Sequence, residues 1–242
     1  MKKITKKATK KATKKVFKTE HGKMLYESLK AHGYKKLNVS RGNKKLISND
    51  ETLFIIWNLP AVKTCPNLTR HCFEECYARK AETVYKDCLP SRMKNWEETK
   101  QADFIPNMLY TILSAIRYDR KHRNIVVRIH ESGDFYNLTY AMAWLEIAYM
   151  LTGENVEFIF YTKSFRFFDG IAIPSNMAMR ASVWDDTKES DLEIIKRNGW
   201  NIYTAVEQFT ETDTFTQCRC EDCATCGHCW DNTRKMIACE IH

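Results

Sequence analysis

Apolar positions along the chain fall into two alternating rhythms. LFIIWNLP (53–60) is an unbroken apolar run stopped by Pro60, which reads as a strand buried on both faces. NIVVRIH (124–130), VEFIFYT (156–162), NMAMRASVW (176–184) and WNIYTAVE (200–207) are rich in β-branched and aromatic residues and read as four more strands. Between them the period lengthens. Phe104, Met108, Leu109, Ile112, Leu113 and Ile116 recur at helical spacing within 91–119, enough for one or two helices. LTYAMAWLEIAYML (138–151), followed by Gly153, and KESDLEIIKRN (188–198), with Gly199 at its C-terminal cap, are two further helices. Shorter helices are expected at Met24–Ala31 and from about His71 to Glu82, with a connecting turn at SFRFFDG.

Five strands alternating with helices imply parallel β/α units with right-handed crossovers. Five or six units are too few for a closed eight-stranded barrel. The expected fold is therefore α/β, a partial (β/α) barrel with parallel strands, with a flat doubly wound sheet as the alternative. Either places a functional site at the C-terminal ends of the strands.

Composition divides the 242 residues into three stretches. Residues 1–20 form a lysine-rich tail expected to be disordered, 21–209 the partial barrel, and 210–242 a cysteine-rich, metal-binding extension. The net charge of +8 resides in the tail: MKKITKKATKKATKKVFK holds nine lysines and no acid, and the remainder carries 29 basic and 30 acidic side chains. Such a tail holds a nucleotide or nucleic acid loosely through counterion release, or simply solubilises the chain. No apolar run is long enough for a bilayer, and the basic N-terminus lacks the apolar core of a signal peptide. The expected compartment is a reducing cytoplasm, in which clustered cysteines point to metal or redox chemistry.

The ten cysteines are concentrated in two places. In TCPNLTRHCFEECYARKAE (64–82), Cys72 and Cys76 are one helical turn apart, and Cys65 lies on the loop leaving the first strand. Three thiolates at a strand end suit an iron–sulfur cluster that leaves one iron without a protein ligand, or zinc completed by Cys88 or water. The competing reading is buried thiols acting as small apolar side chains. In QCRCEDCATCGHCW, the thiols of Cys218, Cys220, Cys223, Cys226 and Cys229 are packed too tightly for the two separated knuckles of a zinc ribbon. Their C-x-x-C run resembles a ferredoxin's, so a second iron–sulfur cluster is weighed there against zinc.

Polar groups recur where the strands end. HESGDF (130–135) offers His130, Glu131 and Asp134 as proton carriers or acceptors around Gly133, whose missing side chain permits close approach of a ligand. For Asp134 alone, a capped turn is as good a reading. Lys163 ends the third strand as an anion partner, Arg180 puts a charge inside the fourth, and Glu207 ends the fifth.

Taken together, LPAVKTCPNLTRHCFEECYARKAE, VRIHESGDFY, FYTKS and CATCGHCW resemble the bacteriophage gene product 88 domain proteins. A wider similarity runs to radical S-adenosylmethionine enzymes, which are partial β/α barrels with a three-cysteine cluster after the first strand. That resemblance implies that Cys65, Cys72 and Cys76 hold a 4Fe-4S cluster whose open iron binds S-adenosylmethionine, with Tyr77 directly after the third cysteine. It implies that Glu131, Ser132 and Gly133 stand where the superfamily's Gly-Gly-Glu motif contacts the methionyl amine. Cofactor or substrate binding extends on this view to Arg180 and Glu207, with His130, Glu131, Asp134 and Lys163 as the catalytic candidates. Cys223, Cys226 and Cys229, with Cys218 or Cys220, would hold the auxiliary centre. The superfamily spacing is C-x-x-x-C-x-x-C, whereas this chain has six residues between its first two cysteines and three between the next two.

The expected function is thus a phage-encoded iron–sulfur enzyme supplied by an electron donor. The alternative is a zinc-stabilised nucleic-acid-binding module, against which the near-neutral body argues.

Overall fold

The computed structural model describes residues 16–210, 214–218 and 222–241; residues 1–15 of the lysine tail lie outside these, as do Cys220 and His242, whereas the last part of that tail is ordered, with Phe17 buried and Thr19 capping the first helix. Among the described residues seven parallel strands form one curled half-barrel sheet with the order β1-β2-β3-β4-β5-β7-β6. They are β1 (Thr52–Trp57), β2 (Asn124–Ile129), β3 (Val156–Thr162), β4 (Met177–Val183), β5 (Asn201–Val206), β6 (Thr216–Cys218) and β7 (Met236–Glu240). The helices are α1 (Glu20–Ala31), α2 (Arg70–Glu74), α3 (Tyr77–Val84), α4 (Cys88–Glu98), α5 (Phe104–Tyr118), α6 (Leu138–Met150), α7 (Glu189–Asn198) and α8 (Cys223–Cys226). None is long and apolar enough to cross a membrane.

The period-2 alternation of β1, β2 and β3 gives this part of the sheet two apolar faces, and a third cluster joins Phe165, Ala181, Ile194 and Ile195. Leu53, Ile55 and Trp57 of β1, Ile125, Val127 and Ile129 of β2 and Phe158 and Phe160 of β3 face the helical layer, where they meet α5 and α6. Their neighbours Phe54, Ile56, Val126, Ile159 and Tyr161 face the concave side. A half-barrel leaves that face open to water unless something covers it. Here the C-terminal segment does so: Cys223, Ala224, Cys229 and Trp230 pack against these residues, with the Trp230 and Phe54 rings 6.0 Å apart.

Arg180 on β4 fastens this segment in place. It is fully buried, and its guanidinium donates to the carbonyls of Cys229 (2.9 Å), His228 (3.0 Å), Asp231 (2.7 Å) and Arg234. Asn201 on β5 adds a bond to the Asn232 carbonyl at 3.1 Å. Planar donors spread over several directions are what guanidinium provides and ammonium does not.

Two expectations are corrected. The stretch 210–242 contributes β6 and β7 to the sheet, raising the strand count from five to seven; both strands are short and interrupted by thiols, so their periodicity is faint in the sequence. The single helix expected over 71–82 is two. Thr69 caps α2 by accepting from Cys72 N at 3.3 Å, Glu75 ends it, and Cys76, with ψ of 96°, leaves the helical region and becomes the N-cap of α3. Cys72 and Cys76 therefore do not share a helix face.

Replacing Arg180 with Met leaves the four carbonyls without these donors. The expected loss is about 3 kcal/mol or more in urea unfolding, with protease cleavage appearing first within 222–234. Arg180→Lys should rescue little, since one ammonium cannot satisfy four divergent acceptors.

Candidate site at the strand ends

The loop after β1 is shaped by a short series of bonds. Thr64 is buried and donates from Oγ1 to the Pro60 carbonyl at 2.7 Å. Glu82, half of an enclosed ion pair with Arg92 at 2.8 Å, accepts from Ala61 N at 2.8 Å. Val62 is held at φ 64°, a left-handed conformation that costs a β-branched residue about 1–2 kcal/mol. The turn it makes, closed by Cys65 N on the Val62 carbonyl at 3.1 Å, delivers Cys65 to the rim.

The turn after β2 packs directly on this loop. Asn58 accepts from the backbone of Glu131 (2.8 Å) and Ser132 (3.1 Å), while the Ser132 hydroxyl donates to the Leu59 carbonyl at 2.8 Å. Gly133, at φ 80°, admits no side chain: a Cβ there would stand 2.5 Å from Thr64 Oγ1 and 2.7 Å from Leu59 Cβ. The close approach foreseen for a ligand is thus made by the cysteine loop itself. Asp134 is buried and accepts from Thr162 Oγ1 (2.7 Å), Lys163 N (2.9 Å), Phe135 N (2.7 Å) and Ser164 Oγ (3.3 Å). It brackets the β2 and β3 ends, whereas the N-cap of α6 is Asn137, which accepts from Tyr140 N at 2.8 Å.

Beside this bracket stand three thiols, from the loop after β1, from α2 and from the cap of α3. Cys65 is electrostatically coupled to Asp134, Cys72 and Cys76, and Cys72 to Lys163, Cys76, Asp134 and Asp186. Burial pushes both the Cys65 and Cys72 thiols up; the Lys163 ammonium opposes this at Cys72. Lys163 is itself buried, donates to the Ser182 carbonyl at 3.0 Å and lies 5.7 Å from the Trp184 ring centre; burial lowers its pKa. On the outer side His71 ties the cysteine helix to the loop after β4, through its backbone to Asp186 (2.8 Å) and its ring to Asp185. Tyr77 donates its hydroxyl to the Glu131 carbonyl at 2.6 Å, and the half-buried Glu131 carboxylate is bonded to Asn43 and Asn58. Cys65, Cys72, Cys76, Tyr77, Glu131, Ser132, Gly133, Asp134 and Lys163 thus form one rim.

Three sequence-predicted residues stand elsewhere. His130 is a correction: it is 3 % exposed and points into the helical core, 4.8 Å from the Phe135 ring, with Nε2 bonded to Tyr140 Oη at 2.8 Å. Strand parity alone would put His130 on the concave side with Val126; the left-handed turn that begins at His130, φ 63°, instead swings the ring under the sheet. Arg180 spends its donors on the C-terminal segment, and Glu207 is exposed just past β5.

Of the other thiols, Cys223 and Cys229 pack on the concave face, whereas Cys88 begins α4 and Cys226 is exposed. The Tyr161 and Tyr203 rings are 4.4 Å apart, Cys229 packs on the same concave core as Tyr161, and Arg128 lies 3.6 Å over Tyr161. Arg128, Tyr161 and Tyr203 were not among the candidates. Arg128 carried a signal, a charge between apolar neighbours in NIVVRIH; the tyrosines looked like ordinary strand residues.

Among the described residues no three His, Cys, Asp or Glu side chains are gathered closely enough to hold one metal ion. A zinc ion needs every sulfur within about 2.3 Å of a single point. A polynuclear iron–sulfur cluster interposes its own body between its thiolates, so neighbouring but separated thiols fit it in kind.

The family model described as gene product 88 matches residues 36–232. The Gene 88 protein of Mycobacterium phage D29 is 33 % identical over 106 residues, covering 41 % of this chain and 42 % of its own length. The Gene 88 protein of Mycobacterium phage L5 is likewise 33 % identical over 106 residues, covering 41 % and 43 %. The match thus spans less than half of each relative. No solved structure matches the chain.

His130 supplies a pH test of this geometry. Burial, with Arg128 adding to it, lowers its pKa to about 3, against about 6.5 in the unfolded chain. Between those values only the unfolded chain takes up the proton, so the His130 contribution is complete above pH 6.5 and declines as pH falls toward 3. Urea unfolding should show a loss of about 2 kcal/mol from this residue between pH 7 and pH 5. His130→Asn, which tolerates the left-handed backbone, should flatten that slope.

Proposed function

The chain belongs to the gene product 88 family, and from that premise we propose that it is an iron–sulfur enzyme whose reactive centre is the rim formed by Cys65, Cys72 and Cys76. The placement of those three thiols, on a loop, a short helix and a helix cap, beside Lys163 and Asp134 carries the reading. The half-barrel with its site at the strand ends supports it. Bound there through three thiolates, a 4Fe-4S cluster supplies one iron with no protein ligand and delivers single electrons to a chelating co-substrate, for which S-adenosylmethionine is the proposal.

The chain's own residues divide the remaining work. Lys163 offsets the negative charge of the thiolates from the concave side. Asp134 holds the β3 end and the turn after β2 at a fixed distance from the cysteine loop. Glu131 presents a carboxylate bonded only to two asparagine amides among its described side-chain partners, which a cationic amine would displace at little cost. Gly133 keeps the cysteine loop seated against that turn. Elevated thiol pKa values mean that metal must displace protons on binding, so cluster assembly should be favoured by rising pH. The nucleotide or nucleic-acid substrate proposed for the lysine tail rests on charge alone.

The test is anaerobic purification followed by counts of iron, sulfide and zinc and a visible spectrum. Iron and sulfide in equal amounts are expected, together with 5′-deoxyadenosine on addition of dithionite and S-adenosylmethionine. Cys65→Ser, Cys72→Ser and Cys76→Ser should each abolish that product. Stoichiometric zinc in a colourless protein would overturn the reading in favour of a zinc-stabilised module. Iron without cleavage would remove the S-adenosylmethionine step alone.

A further inference from the structure

A cleft that no step above uses lies on the helical side of the strand ends. It is open, has a volume of about 660 Å³ and runs between the turn that joins α4 to α5 and the first turn of α6, within the size range of small-molecule sites. Ala102 and Ala143 stand on its walls, where longer side chains would fill it. The rings of Phe104, Tyr136 and Tyr140 form its apolar part, with Tyr136 stacked on Tyr140 at 5.0 Å and Phe104 tilted against Tyr140 at 5.8 Å. Tyr136 is itself held by Thr99, Oγ1 to Oη 2.9 Å, and meets Trp96 edge-on at 6.1 Å. A planar ring entering the cleft therefore finds an aromatic wall already fixed in place.

The polar groups of the cleft suit an anion that carries such a ring. Among the described residues Lys100 is the one charged side chain of the lining, and Asp103, the N-cap of α5, is not part of it. Lys100 lies 3.8 Å from the Trp96 ring centre and pairs with Glu97 at 2.6 Å on the surface, where such a pair is worth little and is readily exchanged for a phosphate. Lys63, from the cysteine loop, lies over the same indole at 4.8 Å. Gln101 spends its amide nitrogen on the Glu97 carbonyl (3.2 Å) and Asn137 its amide oxygen on Tyr140 N (2.8 Å). That leaves an acceptor on one and an NH2 on the other, and a nucleobase edge presents the complementary donor and acceptor. α5 and α6 both begin on the cleft with no acidic residue in the first turn, so their dipoles add to the attraction for an anion.

We infer that this cleft binds a nucleotide, with its base against Tyr136 and Phe104 and its phosphate at Lys100. The aromatic wall, the single lysine and the two amides together select a flat, hydrogen-bonding ring joined to an anion, whereas the lysine tail selects charge alone. The site shares no residue with the cysteine rim and needs no metal, so it goes beyond the reading above and gives that reading's nucleotide a place in the folded body. It borders the rim, since Tyr136 follows Asp134 by two residues and Lys63 precedes Cys65 by two.

Isothermal titration calorimetry on the full-length protein tests it, with the ribonucleoside 5′-monophosphates as probes and ribose 5-phosphate and inorganic phosphate as controls that lack the base. In about 0.3 M salt, which suppresses charge-only binding to the tail, at least one nucleotide should bind about tenfold more tightly than ribose 5-phosphate, the effect of one stacked base. Thr139 is exposed at the cleft, and Thr139→Trp should plug it and remove the binding. Lys100→Ala should weaken the nucleotide about tenfold and leave the corresponding nucleoside unchanged. A short single strand containing the preferred base tells a free nucleotide from one in a chain, because Thr139→Trp abolishes binding of the strand only in the second case. No nucleotide binding by the wild type, ribose 5-phosphate binding as tightly as the nucleotide, or full affinity in Thr139→Trp would each overturn the inference. The wild-type comparison and Lys100→Ala decide the matter should Thr139→Trp misfold. The cysteine-rim reading stands or falls separately, on iron content and 5′-deoxyadenosine.

Discussion

A parallel sheet curled through half a turn has two faces to cover, and crossover helices cover only the outer one. This chain covers the inner face with its own C-terminal segment, and the guanidinium of Arg180 converts that contact into a fixed geometry by satisfying four carbonyls of an otherwise irregular loop. A buried arginine is costly unless its donors are satisfied, and irregular backbone is costly unless its acceptors are. Each solves the other's problem. The concave core of Phe54, Ile56, Val126 and Ile159, the tyrosine pair and the placement of Cys229 all depend on this arrangement.

The two thiol sets consequently sit in different surroundings. The first lies at the rim, on a loop whose seat is dictated by Gly133 and Asp134 and whose outer wall is the His71–Asp185–Asp186 tie. Of the second, Cys223 and Cys229 pack inside the half-barrel with Trp230, and Cys226 is exposed.

Most of the architecture was legible because the apolar pattern is strong. β3 was delimited to the residue, and Gly199 capped α7 in the left-handed conformation as its position implied. What failed did so for local reasons. β6 and β7 have three and five residues and carry cysteines in place of apolar side chains, so their alternation was hidden. The break at Cys76 depends on capping by Thr69 and on how the loop meets the loop after β4, neither of which spacing encodes. His130 was assigned to the rim from its position after a strand, but a left-handed turn at that residue overrode strand parity and decided its direction. Asp134 was legible as a structural or functional residue, and the four donors around it are structural.

The strand order carries a consequence for how the molecule assembles. β7 lies between β5 and β6, although β6 precedes it in sequence, and β7 is the one described strand with which β6 pairs. β6 therefore has no strand partner until β7 has been made, and the two can dock singly or as a pair. Their pairing is a non-local contact, and such contacts slow folding. Cys218 and Cys239 become neighbours only when that pair forms.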